Sequence, residues 1–343
     1  RVPPEAAGSV VCYDLVRDIP PFDEEEADED DLFADLDEER RAGSVICFSD
    51  KRQDAAFFAP AMDRTYGNIT RRQLIREAVE ALSRDGEGCK PSSVIDWITS
   101  VAKRRYPGVL GSNKKGQATA WILDELAAED SRNSLEGLGV VRIEPTEFNE
   151  GFSHPGAKKL VARQVDRLNA DGVAWLSCED YILFARICLE LLREKNVIEV
   201  PEGVPELRSN HERRGNLVVL ERGGSASKDI VYFAGDAVRG TENKRSAFIR
   251  KYAKRAHGIE LTRENVRPIL QSLFQFMGEY LSCRLFKGEG YLIDSREHFR
   301  LSRDIWTMYP HSNDDIVYRC DACGCETHLD THGVCMTTKC NGT

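Results

Sequence analysis

The tightest constraint on the fold lies near the end of the chain, in the segment YRCDACGCETHLDTHGVCMTTKC at residues 318–340. Two residues separate the first cysteine pair and four separate the second, and the four thiols are those of Cys320, Cys323, Cys335 and Cys340. Thiolates at such spacing can occupy the four tetrahedral positions around a Zn²⁺ ion. The glycines of CGC and HGVC permit the tight turns that direct the sulfurs towards one point. The segment therefore predicts a structural zinc ribbon.

Three further side chains of this segment are reserve ligands for the same ion: Cys325, His328 and His332. Four cysteines close a zinc site, so we expect the metal to be structural rather than catalytic. The alternative is a pair of disulfides in a secreted module. Five of the 11 cysteines lie between Cys320 and Cys340, and the others are scattered through apolar segments, as is typical of reduced thiols. We therefore expect a cytoplasmic protein with one zinc ion.

The length and the net charge of the chain limit the number of domains and the function class less tightly. A chain of 343 residues is long enough for two or three domains. The net charge of -10 comes largely from the run DEEEADEDD at residues 23–31, which is typical of a disordered linker, so basic faces can exist elsewhere. No apolar run reaches the roughly 18 residues of a membrane helix, and the first residues do not resemble a signal peptide. The chain does not start with Met, and we interpret it as a piece of a longer protein.

The order of the segments predicts an α+β, multidomain chain. The predicted units are a strand with the acidic disordered linker (residues 1–43), a strand, turn and helix (44–91), a winged-helix-like helical insertion (92–310) and the zinc ribbon (311–343). In the second unit, a buried strand at residues 44–49 precedes a polar turn and a helix that starts at Asp54. Pro60 is expected to break or restart this helix. A further helix is predicted for residues 69–82, with Thr70 as its cap.

The third unit alternates amphipathic helices with short β-branched pieces. One helix is expected to end at Gly139, before a strand at residues 140–143. Another has Ser177 as its cap and Asn196 at its end, before a strand at residues 197–200. A third repetition begins at TRENVRPIL. Helix, helix, then strand or hairpin is typical of winged-helix units, although other α+β domains share this order.

A helix with a basic side is predicted from NKRSAFIRKYAKRAHG, residues 243–258. Its cations are Arg250, Lys251, Lys254 and Arg255, interleaved with aromatic residues. Such a face can neutralise phosphates, and the alternative is an ordinary solvated helix surface. No Walker A sequence is present. The acidic pair Asp124–Glu125 of WILDELAAED is predicted to lie exposed on a helix rather than in an ATPase strand.

The stretch VICFSDKRQDAAFFA at residues 45–59 resembles the start of the second RecA-like domain in large superfamily 2 DNA helicases of the DEAD/DEAH-box type, which are found in phage-defence and DNA-repair settings. Within it, FSDKRQDA resembles helicase motif IV. The resemblance implies nucleic-acid contacts or contacts with neighbouring motifs for Ser49, Asp50, Arg52, Gln53 and Asp54. Ser49 and Arg52 are the candidates for the nucleic-acid backbone, since a strand-to-helix turn offers N–H groups to a phosphate.

The same resemblance implies what the longer protein does. The chain would be an internal fragment of an ATP-dependent DNA helicase or translocase, with ATP and Mg²⁺ bound by the parent protein only and the fragment inactive alone. Its partners would be duplex or single-stranded DNA and subunits of a defence or repair complex, with no membrane. Two alternatives stay open: a free-standing DNA-binding protein with winged-helix units and a zinc ribbon, and a protein-interaction scaffold of a defence complex.

Overall fold

A computed structural model describes residues 52–84, 86–106, 109–127, 134–205, 215–221, 229–235, 242–282, 290–312, 315–337 and 340. Within these ranges the helices are α1 (Arg52–Leu82), α2 (Pro91–Arg105), α3 (Lys114–Leu126), α4 (Thr146–Gly151), α5 (Pro155–Ala170), α6 (Cys178–Arg193), α7 (Lys244–His257) and α8 (Arg263–Leu281). The strands are β1 (Val141–Glu144), β2 (Leu217–Val219), β3 (Ile230–Tyr232), β4 (Leu292–Asp294), β5 (His298–Leu301), β6 (Thr307–Pro310), β7 (Tyr318–Arg319) and β8 (Glu326–Thr327). The predicted mixture of α and β structure is confirmed. The predicted strand at 44–49 and the acidic linker lie outside the described residues.

The helix α1 is longer than the sequence predicts. It runs unbroken through Pro60, where the sequence predicts a break, and Thr70 is buried in its interior instead of capping it. A proline removes one backbone donor and crowds one carbonyl, so it weakens a helix without always ending it. The helical spacing in the second half is confirmed by the side chains that it buries completely, Leu74, Ile75, Ala78 and Val79.

The acidic residues of α3 contradict the prediction that they are exposed. The Arg71 guanidinium of α1 lies 3.3 Å from the Asp124 carboxylate and 2.9 Å from that of Glu125. The side chain of Glu125 is 2% exposed, and it also accepts the backbone N–H of Leu135 at 2.8 Å. Helical propensity could not reveal this burial, because the arginine partner lies 53 positions before Asp124 in sequence.

Helices α5 to α8 pack together around aromatic side chains, and α8 contacts each of the other three. The ring of Tyr181 in α6 meets Phe276 of α8 edge-on at 5.5 Å, and its hydroxyl lies 2.9 Å from Ser272. The predicted cap of α6 is confirmed, because the Ser177 hydroxyl accepts the N–H of Asp180 at 3.1 Å. Among the described helices, none is both long enough and apolar enough to cross a membrane.

The described strands form three small sheets. The largest has the order β3-β2-β5-β4, with a parallel pair at β3-β2 and antiparallel pairs elsewhere. The strand β1 pairs antiparallel with β6, and it matches the strand predicted at residues 140–143 within one residue. The helix predicted to end at Gly139 is absent, since residues 134–139 form turns. The third sheet, β7-β8, belongs to the ribbon.

The strand predicted at residues 197–200 is reduced to one parallel bridge between Ile198 and Leu301. Asn196, the expected helix end, has a positive φ of 50° just beyond α6. Pro201 offers no N–H for a ladder, and the chain turns at Gly203 with φ 80°. The pairing therefore ends after one residue.

Two of the scattered cysteines lie in the apolar interior, as expected of reduced thiols, whereas Cys178 is exposed. Cys89 and Cys188 are buried and unbonded to other cysteines. Burial raises the pKa of the Cys89 thiol to about 11 and that of the Cys188 thiol to about 12. Both thiols therefore stay protonated at neutral pH, unlike the thiolates that bind metals.

Candidate metal centre

The first two ligand candidates lie in the hairpin formed by β7 and β8. The backbone N–H of Cys320 donates to the carbonyl of Cys325 at 2.9 Å, and the N–H of Gly324 donates to the carbonyl of Cys320 at 2.9 Å. Gly324 has φ 70°, a conformation that other residues adopt only with strain. The turn therefore needs the glycine of CGC, as the sequence predicts, and it brings Cys320 and Cys323 to one side of the hairpin.

The other two ligand candidates are Cys335 and Cys340. They lie in the segment after β8, here called the return loop (residues 331–337 and 340), which packs on the helices. Val334 and Met336 are buried in the main hydrophobic core, whereas Cys335 between them joins a separate cluster with Cys320 and Cys340. The alternation places neighbouring side chains on opposite sides of the loop. The loop is thus held to the helical body by its apolar residues while its cysteines face the hairpin.

The four sulfur atoms converge on one point. The Sγ atoms of Cys320 and Cys340 are 3.6 Å apart, those of Cys323 and Cys335 are 3.5 Å apart, and all four lie within 4.8 Å of one another. A tetrahedral zinc ion with Zn–S distances of about 2.3 Å separates its sulfurs by about 3.8 Å. A disulfide holds them at about 2.05 Å, and the four cysteines are free. The group can therefore bind a metal such as zinc.

Two of these sulfurs accept backbone N–H groups, and for Cys323 this favours the thiolate. The backbone N–H of Cys325 and, next, the Thr337 hydroxyl lower the pKa of the Cys323 thiol to about 6. The N–H of Thr337 likewise donates to the Cys335 sulfur at 3.4 Å. Hydrogen bonds of this kind stabilise thiolates, which are the form that coordinates a metal.

The three reserve ligands have other partners. Cys325 is not in the four-sulfur group, and burial raises the pKa of its thiol. The His328 ring lies 3.3 Å from the carbonyl of Ile316, and the His332 ring packs against Tyr252 of α7 at 6.1 Å. The geometry thus favours four cysteine ligands.

The basic residues of α7 lie partly beneath the return loop. The Arg250 guanidinium donates to the carbonyl of Leu261 at 2.9 Å and pairs with Glu242 at 2.7 Å. The Lys251 ammonium bonds to carbonyls of the return loop. Lys254 and Arg255 have exposed side chains, and Lys254 pairs with Glu260 at 2.6 Å. The surface available to a phosphate therefore centres on Lys254 and Arg255.

The residues of the motif IV resemblance are described only in part. Ser49 and Asp50 lie outside the described residues, whereas Arg52, Gln53 and Asp54 form the first turn of α1. The described part of the motif is therefore helical, as the prediction of a helix over this segment requires.

A cleft of about 500 Å³ lies between the ribbon, the end of α6 and the turn at residues 134–139. Inside it Arg193 pairs with Glu136 and Glu190, each at 2.8 Å. Burial raises the pKa of Glu190 against the opposing effect of Arg193. Two apolar residues that line the cleft are exposed to solvent: Leu138 is 52% exposed and Val317 is 43% exposed. The sequence did not reveal this cleft, because its walls come from distant segments.

No protein-family model, curated protein or solved structure matches this chain. Its function must therefore be argued from its own residues.

Proposed function

We propose that the chain is part of an ATP-dependent superfamily 2 DNA helicase or translocase, in which it contributes nucleic-acid contacts and one structural zinc ion. In this proposal residues 44–91 begin the second RecA-like domain, residues 92–310 are the winged-helix-like insertion, and residues 311–343 are the zinc ribbon. ATP and Mg²⁺ belong to the longer protein. The observation that carries the zinc assignment is the convergence of four free sulfurs within 4.8 Å.

The helicase assignment draws on the motif FSDKRQDA together with the helix α1, whose described part includes Arg52, Gln53 and Asp54 of the motif. A helix N-terminus beside polar side chains is suited to binding a phosphate of the nucleic-acid backbone. Arg71, which ties α1 to α3, would hold this helix in place.

The winged-helix assignment draws on α7, α8, β4 and β5, which follow one another in the order helix, helix and antiparallel hairpin. The α7 and α8 helices pack on each other, and Gly258 in the left-handed conformation (φ 67°) ends the first of them. The exposed cations Lys254 and Arg255 lie in the last turn of α7.

The replacement Arg52→Ala tests the helicase assignment in a protein that carries this chain together with the ATP site. We expect DNA-stimulated ATP hydrolysis and unwinding to fall about tenfold or more, because a charged hydrogen bond to phosphate contributes about 1.5–3 kcal/mol. The matched control is Arg76→Ala on the same helix, whose partner Glu80 lies at 2.8 Å on the surface. Unchanged unwinding by the Arg52→Ala protein contradicts the assignment of motif IV.

Titration of the chain with DNA over a range of salt concentrations tests nucleic-acid binding itself. Each phosphate contact contributes about 0.9 to the slope of log K against log salt concentration. The double replacement of Lys254 and Arg255 by alanine should therefore flatten the slope by about 1 to 2. The charge-matched control replaces Lys158 and Lys159, which are exposed on α5. An identical slope for both double variants excludes α7 as the DNA contact.

A second candidate function, a protein-interaction scaffold of a defence complex, is favoured by one surface. The exposed large apolar residues among the described part of the chain cluster at the cleft and the approach to β7: Leu138, Ile316, Val317 and Tyr318. Grouped apolar exposure of this kind is typical of protein contact surfaces. The same titration discriminates the two functions, because a chain that fails to bind DNA even at low salt supports the scaffold.

A further inference from the structure

Lys251 has an unusual set of partners. Its ammonium donates three hydrogen bonds to backbone carbonyls, to that of Cys335 at 2.7 Å, that of Thr337 at 2.7 Å and that of Cys340 at 2.9 Å. An ammonium group has three donors, so this set uses all of them. The three acceptors lie 84 to 89 residues later in the chain, and all belong to the return loop.

The position of these acceptors gives Lys251 a direct effect on the ligand geometry. Cys335 and Cys340 supply two of the four sulfurs, and their own carbonyls are the ones that Lys251 holds. One side chain thus fixes the start and the end of the segment between the two ligands. The N–H of Thr337, whose carbonyl is the third acceptor, donates to the Cys335 sulfur.

The positive charge of the Lys251 ammonium has a second effect on the metal centre. Four thiolates around a divalent ion carry a net charge of about −2, which is costly beside a buried apolar core. The Lys251 side chain is half-buried, and Cys320, Cys335 and Cys340 are buried. A cation held here is therefore screened less than a surface cation and offsets part of the negative charge of a metal–thiolate group.

The neighbouring residues of α7 contact the same loop. Gly333 has φ 72°, a conformation that favours glycine, and a Cβ atom there would lie 2.8 Å from the Arg255 guanidinium, so Arg255 lies close against this loop. The His332 ring lies against Tyr252. The return loop therefore packs against the side of α7 that carries Lys251, Tyr252 and Arg255.

We propose that Lys251 is a positioning residue of the metal centre, which binds the return loop to α7 and offsets the negative charge of the metal–thiolate group. This inference depends on the zinc ion of the proposed function. It assigns to the ribbon a lysine that the sequence predicts to contact nucleic acid.

The test compares zinc affinity in Lys251→Met and Lys254→Met, measured by competition with a chromogenic zinc chelator. Replacing a residue that orients a metal ligand typically weakens metal binding 10- to 100-fold, and we expect a loss in that range for Lys251→Met. Lys254→Met is the matched control on the same helix, because its side chain is 69% exposed and, among the described residues, it pairs with Glu260, outside the ribbon. Its affinity should equal that of the wild type.

Substitution with Co²⁺ adds a readout that loss of general stability does not produce. The thiolate-to-cobalt bands of Lys251→Met should shift or broaden at full cobalt occupancy, whereas those of Lys251→Arg, which keeps the charge and the donors, should stay closer to the wild type. If Lys251→Met does not fold, Lys251→Gln replaces it, with the same expected order of affinities.

The possible outcomes distinguish the role of Lys251 from the zinc site itself. Zinc in the wild type with equal affinity in the Lys251 variants overturns the role of Lys251 and leaves the zinc site standing. Absence of zinc from freshly purified, reduced wild-type protein overturns both. Weaker binding in the Lys251 variants with unchanged Lys254→Met supports the inference.

Discussion

Replacing Cys335 with serine is expected to release the zinc ion and to detach the return loop from the helices. Serine is a poor zinc ligand, and three remaining thiolates leave the tetrahedral site open. The loop also carries Val334 and Met336, which are 4% and 7% exposed in the main core. Exposing both side chains costs about 3 to 6 kcal/mol, at about 1.5–3 kcal/mol for each. Zinc content by metal analysis and urea unfolding curves measure the two effects.

The matched control for this result is Cys325→Ser. Cys325 lies in the same hairpin, two residues after Cys323, but outside the group of four converging sulfurs. The Cys325→Ser protein should therefore keep one zinc ion per chain, and it should unfold at nearly the urea concentration of the wild type. A Cys335→Ser protein that retains a full zinc ion with wild-type stability would falsify the four-cysteine assignment, and loss of zinc from Cys325→Ser would make Cys325 a ligand.

Chelation should reproduce the effect of Cys335→Ser without any substitution. Metal binding and folding of such a segment are one equilibrium, so removing zinc from the reduced wild-type protein should loosen the ribbon and leave the α5–α8 helices folded. Protease cleavage after chelation should then appear first within residues 315–340.

The features that sequence reasoning predicted are those whose partners lie close along the chain. The knuckle of Cys320 and Cys323 and its glycine turn depend on residues within a few positions, and the structure confirms that turn. The cap of α6 at Ser177 is equally local, because its partner is Asp180. Helix positions follow from apolar periodicity, which buries one side of each helix.

The features that the sequence did not predict depend on partners that lie far apart along the chain. Lys251 looks like any exposed lysine of a basic helix until the return loop, more than 80 residues later, covers it. The strand at residues 197–200 has the right composition, but strand pairing needs a neighbour, and Leu301 supplies only one bridge. The helicase resemblance is local too, and it stays a prediction.

The replacement Arg71→Met is expected to destabilise the chain by about 3–5 kcal/mol, the usual cost of removing one partner of a buried ion pair. The side chain of Glu125 is 2% exposed, so without Arg71 its charge would be left in the interior without its ion-pair partner. Methionine fills a similar volume, which limits the loss to the charge and its hydrogen bonds. Urea unfolding at neutral pH measures the change in free energy.

The control on the same helix is Arg76→Met. Its partner Glu80 lies at 2.8 Å, but the two side chains are 60% and 47% exposed. Such a surface pair is worth about 0.5 kcal/mol or less, so the two arginines of α1 should differ several-fold in their effect. Equal destabilisation by both replacements would show that loss of an arginine from the helix, rather than burial of its partners, sets the cost.

A double variant identifies the charge that causes the damage. Adding Glu125→Gln to Arg71→Met removes the buried negative charge that has lost its arginine partner. The glutamine keeps an oxygen that can accept the N–H of Leu135. We therefore expect the double variant to be more stable than Arg71→Met alone, by about 1 kcal/mol or more, although each single replacement is destabilising. Simple additivity of the two losses would mean that Arg71 and Glu125 act independently. Since Arg71 is the ion-pair partner that joins α1 to α3, the same measurement reports how firmly the helix that starts in the motif is held to the rest of the chain.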